Sequence, residues 1–164
     1  KKLKKMTQQI WRNRLSREFD GLEKSCEKIN GAEIKLVESE MDENDGTCKA
    51  LFSFVIPLEQ AVKTELEKES ESAEDKCSVN FSLEFDLDLR TRYPFDPPRV
   101  KVVEGGNSLP IGTVSNQILV LPDAEGWTPS NTIIGTLQRL VEHIKAEYAR
   151  LGQNGETPND VLVN

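Results

Sequence analysis

The stretch CSVNFSLEFDLDLR, residues 77–90, constrains the fold more than any other. Val79, Phe81, Leu83, Phe85, Leu87 and Leu89 recur at a spacing of two, with Asn80, Ser82, Glu84, Asp86 and Asp88 between them. Successive side chains of a strand point to opposite faces, so the pattern predicts one long strand with a core side and an acidic solvent side. A strand of that kind belongs in an antiparallel sheet covered on one face only.

The neighbouring segments supply partners for it. AEIKLVES, residues 32–39, alternates well enough for a strand, and DENDGT reads as a hairpin turn because Asp45-Gly46 provides the positive φ that tight turns need. CKALFSFVIP, residues 48–57, is apolar on both faces, which predicts a strand in the interior of the sheet. After the acidic-faced strand, TRYPFDPP ends the pairing, since Pro94, Pro97 and Pro98 remove ladder donors and fix φ. RVKVV, residues 99–103, is the fourth strand of the meander.

Two helices bracket the strands. Trp11, Leu15, Phe19 and Leu22 share one helical face, and Arg12, Arg14 and Arg17 spread over its more polar sides, until Asn30-Gly31 breaks the chain direction. Near the other end Ile133, Leu137, Leu140, Val141, Ile144, Tyr148 and Leu151 form a long apolar stripe. Ser130 or Asn131 suits the N-cap of that helix and Gly152 its stop. The expected architecture is α+β: an N-terminal helix, a four-stranded antiparallel meander, an irregular crossover, and a long C-terminal helix packed on the sheet.

Length and charge narrow the function. The 164 residues suffice for a single domain, expected over residues 1–155, with 156–164 as a flexible tail. Residues 58–76 are rich in Glu, Lys and Ser and read as an acidic insert, a solvated spacer or a docking loop. A net charge of -7 argues against nucleic acid as a partner, because phosphate contact needs clustered cations. The basic start, KKLKKMTQQIWRNRLSR, is the local exception; it reads as a solvated helix face or as a contact for an acidic partner or membrane surface. No stretch is apolar and long enough for a membrane span, and no apolar run follows the lysines as a secretory signal would require.

Cys26, Cys48 and Cys77 lack metal-ligand spacing and stand beside a single histidine, His143. They are expected to be reduced thiols in the cytoplasm or nucleus, with no metal and no cofactor. Asp86 and Asp88 share the solvent face with Glu84, which suits a solubilising or partner-facing strand better than an acid/base pair.

In order along the chain, the Arg14-Leu15-x-x-Glu18-Phe19 helix, the YPFDPP turn, the strand after it, the crossover and the Trp127-Thr128-Pro129-Ser130 helix entrance resemble the ubiquitin-conjugating (E2) family. The resemblance spans residues 10 to 150. It implies the UBC-like fold, and it implies a cysteine nucleophile in the crossover preceded by a His-Pro-Asn tripeptide. Counting back from Trp127 puts the cysteine position at Leu119, and the tripeptide becomes Leu109-Pro110-Ile111. Thioester chemistry needs a thiolate, which leucine lacks. The family's asparagine is held to steady an oxyanion by donating a hydrogen bond, which Ile111 cannot do.

These departures are similar to those of the ubiquitin E2 variants, which keep the fold and lose the catalysis. The implied role is a non-catalytic, binding or regulatory one in ubiquitin or ubiquitin-like conjugation, with a modifier, an active E2 or an E3 ligase as partner. The resemblance carries an E3-type docking surface onto Phe95 and Pro97 in one loop and Trp127, Thr128, Pro129 and Ser130 in the other. It carries an activating-enzyme contact onto Arg12, Arg14 and Arg17. The residues leave Phe95 open between an exposed anchor and a core side chain, and Tyr93, Pro94 and Trp127 open to a purely structural role. Two alternatives stand beside this: an RWD-like dimerisation or scaffold module, whose proline turn usually has one more residue, and a conjugating enzyme with its cysteine substituted.

Overall fold

The computed structural model describes residues 9–10, 12–20, 29–42, 46–58, 78–89, 93–110 and 114–153. Trp11, Leu22, Cys26, Cys77, Ile111, residues 59–76 of the acidic insert and the tail from 156 lie outside the described residues. The described chain is α+β, with a six-stranded antiparallel sheet and two helices. The helices are α1, residues 12–20, and α2, Ile133–Gln153.

The four long strands run as a meander: β1 (Glu33–Asp42), β2 (Thr47–Pro57), β3 (Ser78–Asp88) and β4 (Arg99–Glu104). A tight turn stands at each end of β1. Asn30 and Gly31 both have positive φ, 51° and 77°, and bring Ile29 and Ala32 into mutual backbone hydrogen bonds of 3.0 and 2.9 Å. At the β1–β2 hairpin Gly46, at φ 62°, donates its N–H to the Asp42 carbonyl at 2.8 Å. Its conformation is one that L side chains adopt at a cost. A bulge between Leu36 and Glu38 twists the edge strand and leaves Val37 exposed.

The expected count of four strands is corrected to six. The crossover is not wholly irregular, because Val114–Ser115 and Ile118–Leu119 form a small hairpin, β5–β6, that adds to β4 in the order β1-β2-β3-β4-β6-β5. Asn116 and Gln117, at φ 50° and 65°, make its two-residue turn. Two central residues of positive φ give the twist that matches paired strands. Strands of two residues carry no readable alternation, and glutamine is an uncommon occupant of a left-handed position.

The core lies between the inner face of the sheet and the helices. Phe52 is its centre, with Phe19 of α1 6.5 Å away and Phe85 of β3 5.3 Å away, both edge-on. Phe54 and Phe81 stack at 4.6 Å. The predicted apolar side of β3 is buried from Val79 to Leu89, and the α2 stripe is buried except for half-buried Tyr148. Tyr148 donates its hydroxyl to the Ser108 carbonyl, in the 3-10 turn Gly106–Ser108 that follows β4. Gly105 opens this turn at φ 71°, where a Cβ would meet the Asn80 carbonyl oxygen at 2.3 Å. No larger residue fits that approach.

Both helix-end expectations for α2 move by a residue or two. The N-cap is Thr132, whose Oγ1 accepts the Gly135 N–H at 3.0 Å, because Asn131 is engaged with the crossover loop instead. The helix continues through Gly152 to Gln153. No described helix is long and apolar enough to cross a membrane.

Candidate functional site

Leu119 sits on β6, opposite Val100 of β4 and Val114 of β5, and is 3% exposed. Its side chain is part of the core, as is that of Leu109, at 5%. The flanking residues Ile118 and Val120 point the other way and are 45% and 55% exposed. A hydrocarbon at this buried position offers neither a nucleophile nor a hydrogen bond. Ile111 lies outside the described residues.

The YPFDPP loop and the helix entrance meet. The Trp127 indole Nε1–H donates to the Pro94 carbonyl at 2.8 Å, and the Tyr93 and Trp127 rings lie 6.3 Å apart. Tyr93 and Pro94 are buried and joined by a cis peptide bond, Pro98 is buried, and Pro97 and Trp127 are half-buried. Phe95 projects from this frame, 65% exposed. Thr128, Pro129 and Ser130 of the helix entrance are exposed too. The Thr128 hydroxyl bridges Ser130 Oγ at 2.7 Å and Asn131 Oδ1 at 2.8 Å, so the loop is knitted by its own side chains. The structural role thus falls to Tyr93, Pro94, Pro98 and the indole N–H, while the apolar ring of Phe95 faces solvent.

The three arginines of α1 divide. Arg14 reaches the same entrance loop, donating to the Pro129 and Asn131 carbonyls at 2.5 Å each and, through Nε, to Glu18 at 2.9 Å. The other Glu18 oxygen accepts the Ile133 N–H at 2.7 Å. Arg14 is therefore a clamp between the helices. Arg12 is half-buried, and Arg17 is exposed beside an open groove of about 490 Å³ that Ile10, Asn13 and Ile134 also line. The helix pattern foretold the placement of Leu15 and Phe19 but gave no sign of this clamp, which joins residues 115 positions apart.

Asp123 is a second residue that sequence reasoning missed. Its Oδ2 pairs with Arg139 at 2.9 Å and accepts from Asn131 Nδ2 at 3.3 Å, with the buried Thr136 hydroxyl 3.4 Å away. The contact ties the loop after β6 to the first turns of α2. The available signal was only an acid in a loop shortly before a helix start, where the dipole favours negative charge.

The other chemically suggestive residues do not converge. Burial, with the Asp86 carboxylate adding to it, pushes the Cys48 thiol up to about 11, so it is a protonated core residue near neutral pH. His143 is half-buried on α2. Asp86 and Asp88 line a shallow cleft with Thr47, Tyr93, Pro97 and Arg99 on the sheet's solvent side. Among the described residues no three His, Cys, Asp or Glu side chains form a metal-holding group. Comparison with protein-family models, with curated proteins and with solved structures finds no match for the chain.

Proposed function

We propose that the chain is a non-catalytic E2-like protein with a UBC-like fold, acting in the cytoplasm or nucleus as a binding or regulatory subunit in ubiquitin or ubiquitin-like conjugation. Its partner, a modifier, an active E2 or an E3 ligase, docks on Phe95, Pro97 and the Thr128–Ser130 loop. The observation that carries the reading is the Trp127–Pro94 hydrogen bond, which fixes two loops into one surface while leaving Phe95 65% exposed. An aromatic ring exposed on a braced turn is the kind of anchor that dominates interface energies. The absence of catalysis is supported by Leu119, which is packed in the sheet where the resemblance expects a cysteine.

Incubation with an activating enzyme, ATP and a panel of ubiquitin-like modifiers is expected to leave no reducible thioester adduct. Formation of one would overturn the non-catalytic reading. NMR titration with ubiquitin and with active E2 enzymes is expected to move the resonances of Phe95, Thr128 and Ser130. Silence with these and with E3 ligase domains would remove the binding role.

A further inference from the structure

The solvent face of the sheet has a charge order that matches its own image. Following the strand register from β1 to β6, one row of outward residues reads Glu38, Leu51, Glu84, Lys101, Ile118. The row beside it reads Glu40, Lys49, Asp86, Arg99, and extending the β4–β6 register by one residue adds Val120. Lys101, Arg99, Ile118 and Val120 are exposed, and Glu84, Asp86 and Leu51 are half-buried. Glu84 and Lys101 are opposite one another in the ladder, as are Asp86 and Arg99, yet none of the four takes part in a salt bridge among the described residues.

We propose that this face is an isologous interface with a second copy of the chain, about a two-fold axis parallel to the strands and midway between β3 and β4. Such an axis places whatever lies one strand to its left against whatever lies one strand to its right. Glu84 then meets Lys101 of the second copy, Asp86 meets Arg99, and Leu51 meets Ile118, each contact occurring twice. Every central contact joins opposite charges; the flanking contact joins two aliphatic side chains in the first row, and in the second it lays the Lys49 stem against Val120. Face-to-face sheets pack about 10 Å apart with strands within about 30° of alignment, which this axis permits. A self-complementary patch is what closed two-fold symmetry requires.

The test is sedimentation equilibrium of the intact chain over a wide concentration range, for wild type, Lys101→Glu, Glu84→Lys and an equimolar mixture of the two variants. The wild type is expected to dimerise reversibly, and each variant alone to weaken the dimer about tenfold or more, because like charges then face each other twice. The mixture is expected to restore it, since every contact across a mixed pair again joins an acid to a base. Ile118→Glu, at an exposed position, is a further variant expected to weaken the dimer, and a thermal scan by circular dichroism checks that each variant folds. A wild type that stays monomeric at the highest concentration overturns the proposal and leaves the face to a different protein. A dimer that the variants do not weaken, or that the mixture fails to restore, overturns it equally.

Discussion

Glu18 on α1 accepts the backbone N–H of Ile133, the first residue of α2, at 2.7 Å across 115 positions of sequence. One side chain therefore caps a helix to which it does not belong, and its second oxygen holds the Arg14 guanidinium that binds the preceding loop. The side chain is 10% exposed, so water does not readily replace these bonds. Glu18→Ala is expected to lower unfolding stability by about 2 kcal/mol, because it leaves both an amide and a guanidinium short of an acceptor. Glu18→Gln keeps an acceptor for Ile133 and should lose less. Urea denaturation followed by circular dichroism distinguishes the two.

Phe95 and Trp127 are adjacent in the proposed surface and opposite in what they do. Phe95→Ala should change stability by no more than about 0.5 kcal/mol, as exposed substitutions generally do, while removing the binding anchor. Trp127→Phe deletes the N–H that reaches the Pro94 carbonyl, and is expected to cost about 1 kcal/mol. Thermal melts measured alongside partner titrations check both. A Phe95→Ala variant that unfolds would contradict the exposed placement of the ring.

The long elements were legible because each carries a period. β3 alternates through eleven residues and α2 keeps its apolar stripe for five turns, so burial follows the sequence pattern almost residue by residue. The β5–β6 hairpin was not legible, since its strands are two residues each and its turn uses Gln117 at φ 65°. The same limit applies to the site. YPFDPP and the Trp127 entrance are local strings, and they proved to touch. Arg14 read as part of a solvent-facing basic helix, because a bond to Pro129 and Asn131 depends on tertiary packing that no spacing encodes. Asp123 was hidden for the same reason.

Two buried acids predict alkaline sensitivity. The Cys48 thiol titrates at about 11 in the folded chain against 9.0 ordinarily. Burial, followed by the Glu18 carboxylate, raises the Tyr93 phenol above its ordinary 10.0, with Arg14 opposing. Above pH 9 the unfolded chain releases protons that the folded chain retains, so stability falls as pH rises, by at most about 1.4 kcal/mol per pH unit for each group. Below about pH 8 neither group contributes an appreciable slope. Cys48→Ala should flatten stability between pH 9 and about 11, measured by urea midpoints across that range. Tyr93→Phe should remove the higher part of the slope. At neutral pH it is expected to be neutral or stabilising by about 1 kcal/mol, because the buried hydroxyl has no hydrogen-bond partner among the described residues.

Leu119→Cys tests the proposed non-catalytic reading by placing a thiol at this buried position. The side chain is 3% exposed and packs on the core from β6, between Val100 and Val114 in register. Shortening it removes buried carbon and leaves a small void, for a loss of about 1–3 kcal/mol. The new thiol would lie in apolar surroundings, which disfavour the thiolate that attacks an activated carboxyl group. Its alkylation by iodoacetamide at neutral pH is expected to be much slower than that of a free thiol. With an activating enzyme, ATP and ubiquitin, the variant is expected to form no thioester. A reducible adduct on Leu119→Cys, absent from wild type, would show that the backbone around β6 presents this position to an activated carboxyl group, against the buried placement of the side chain.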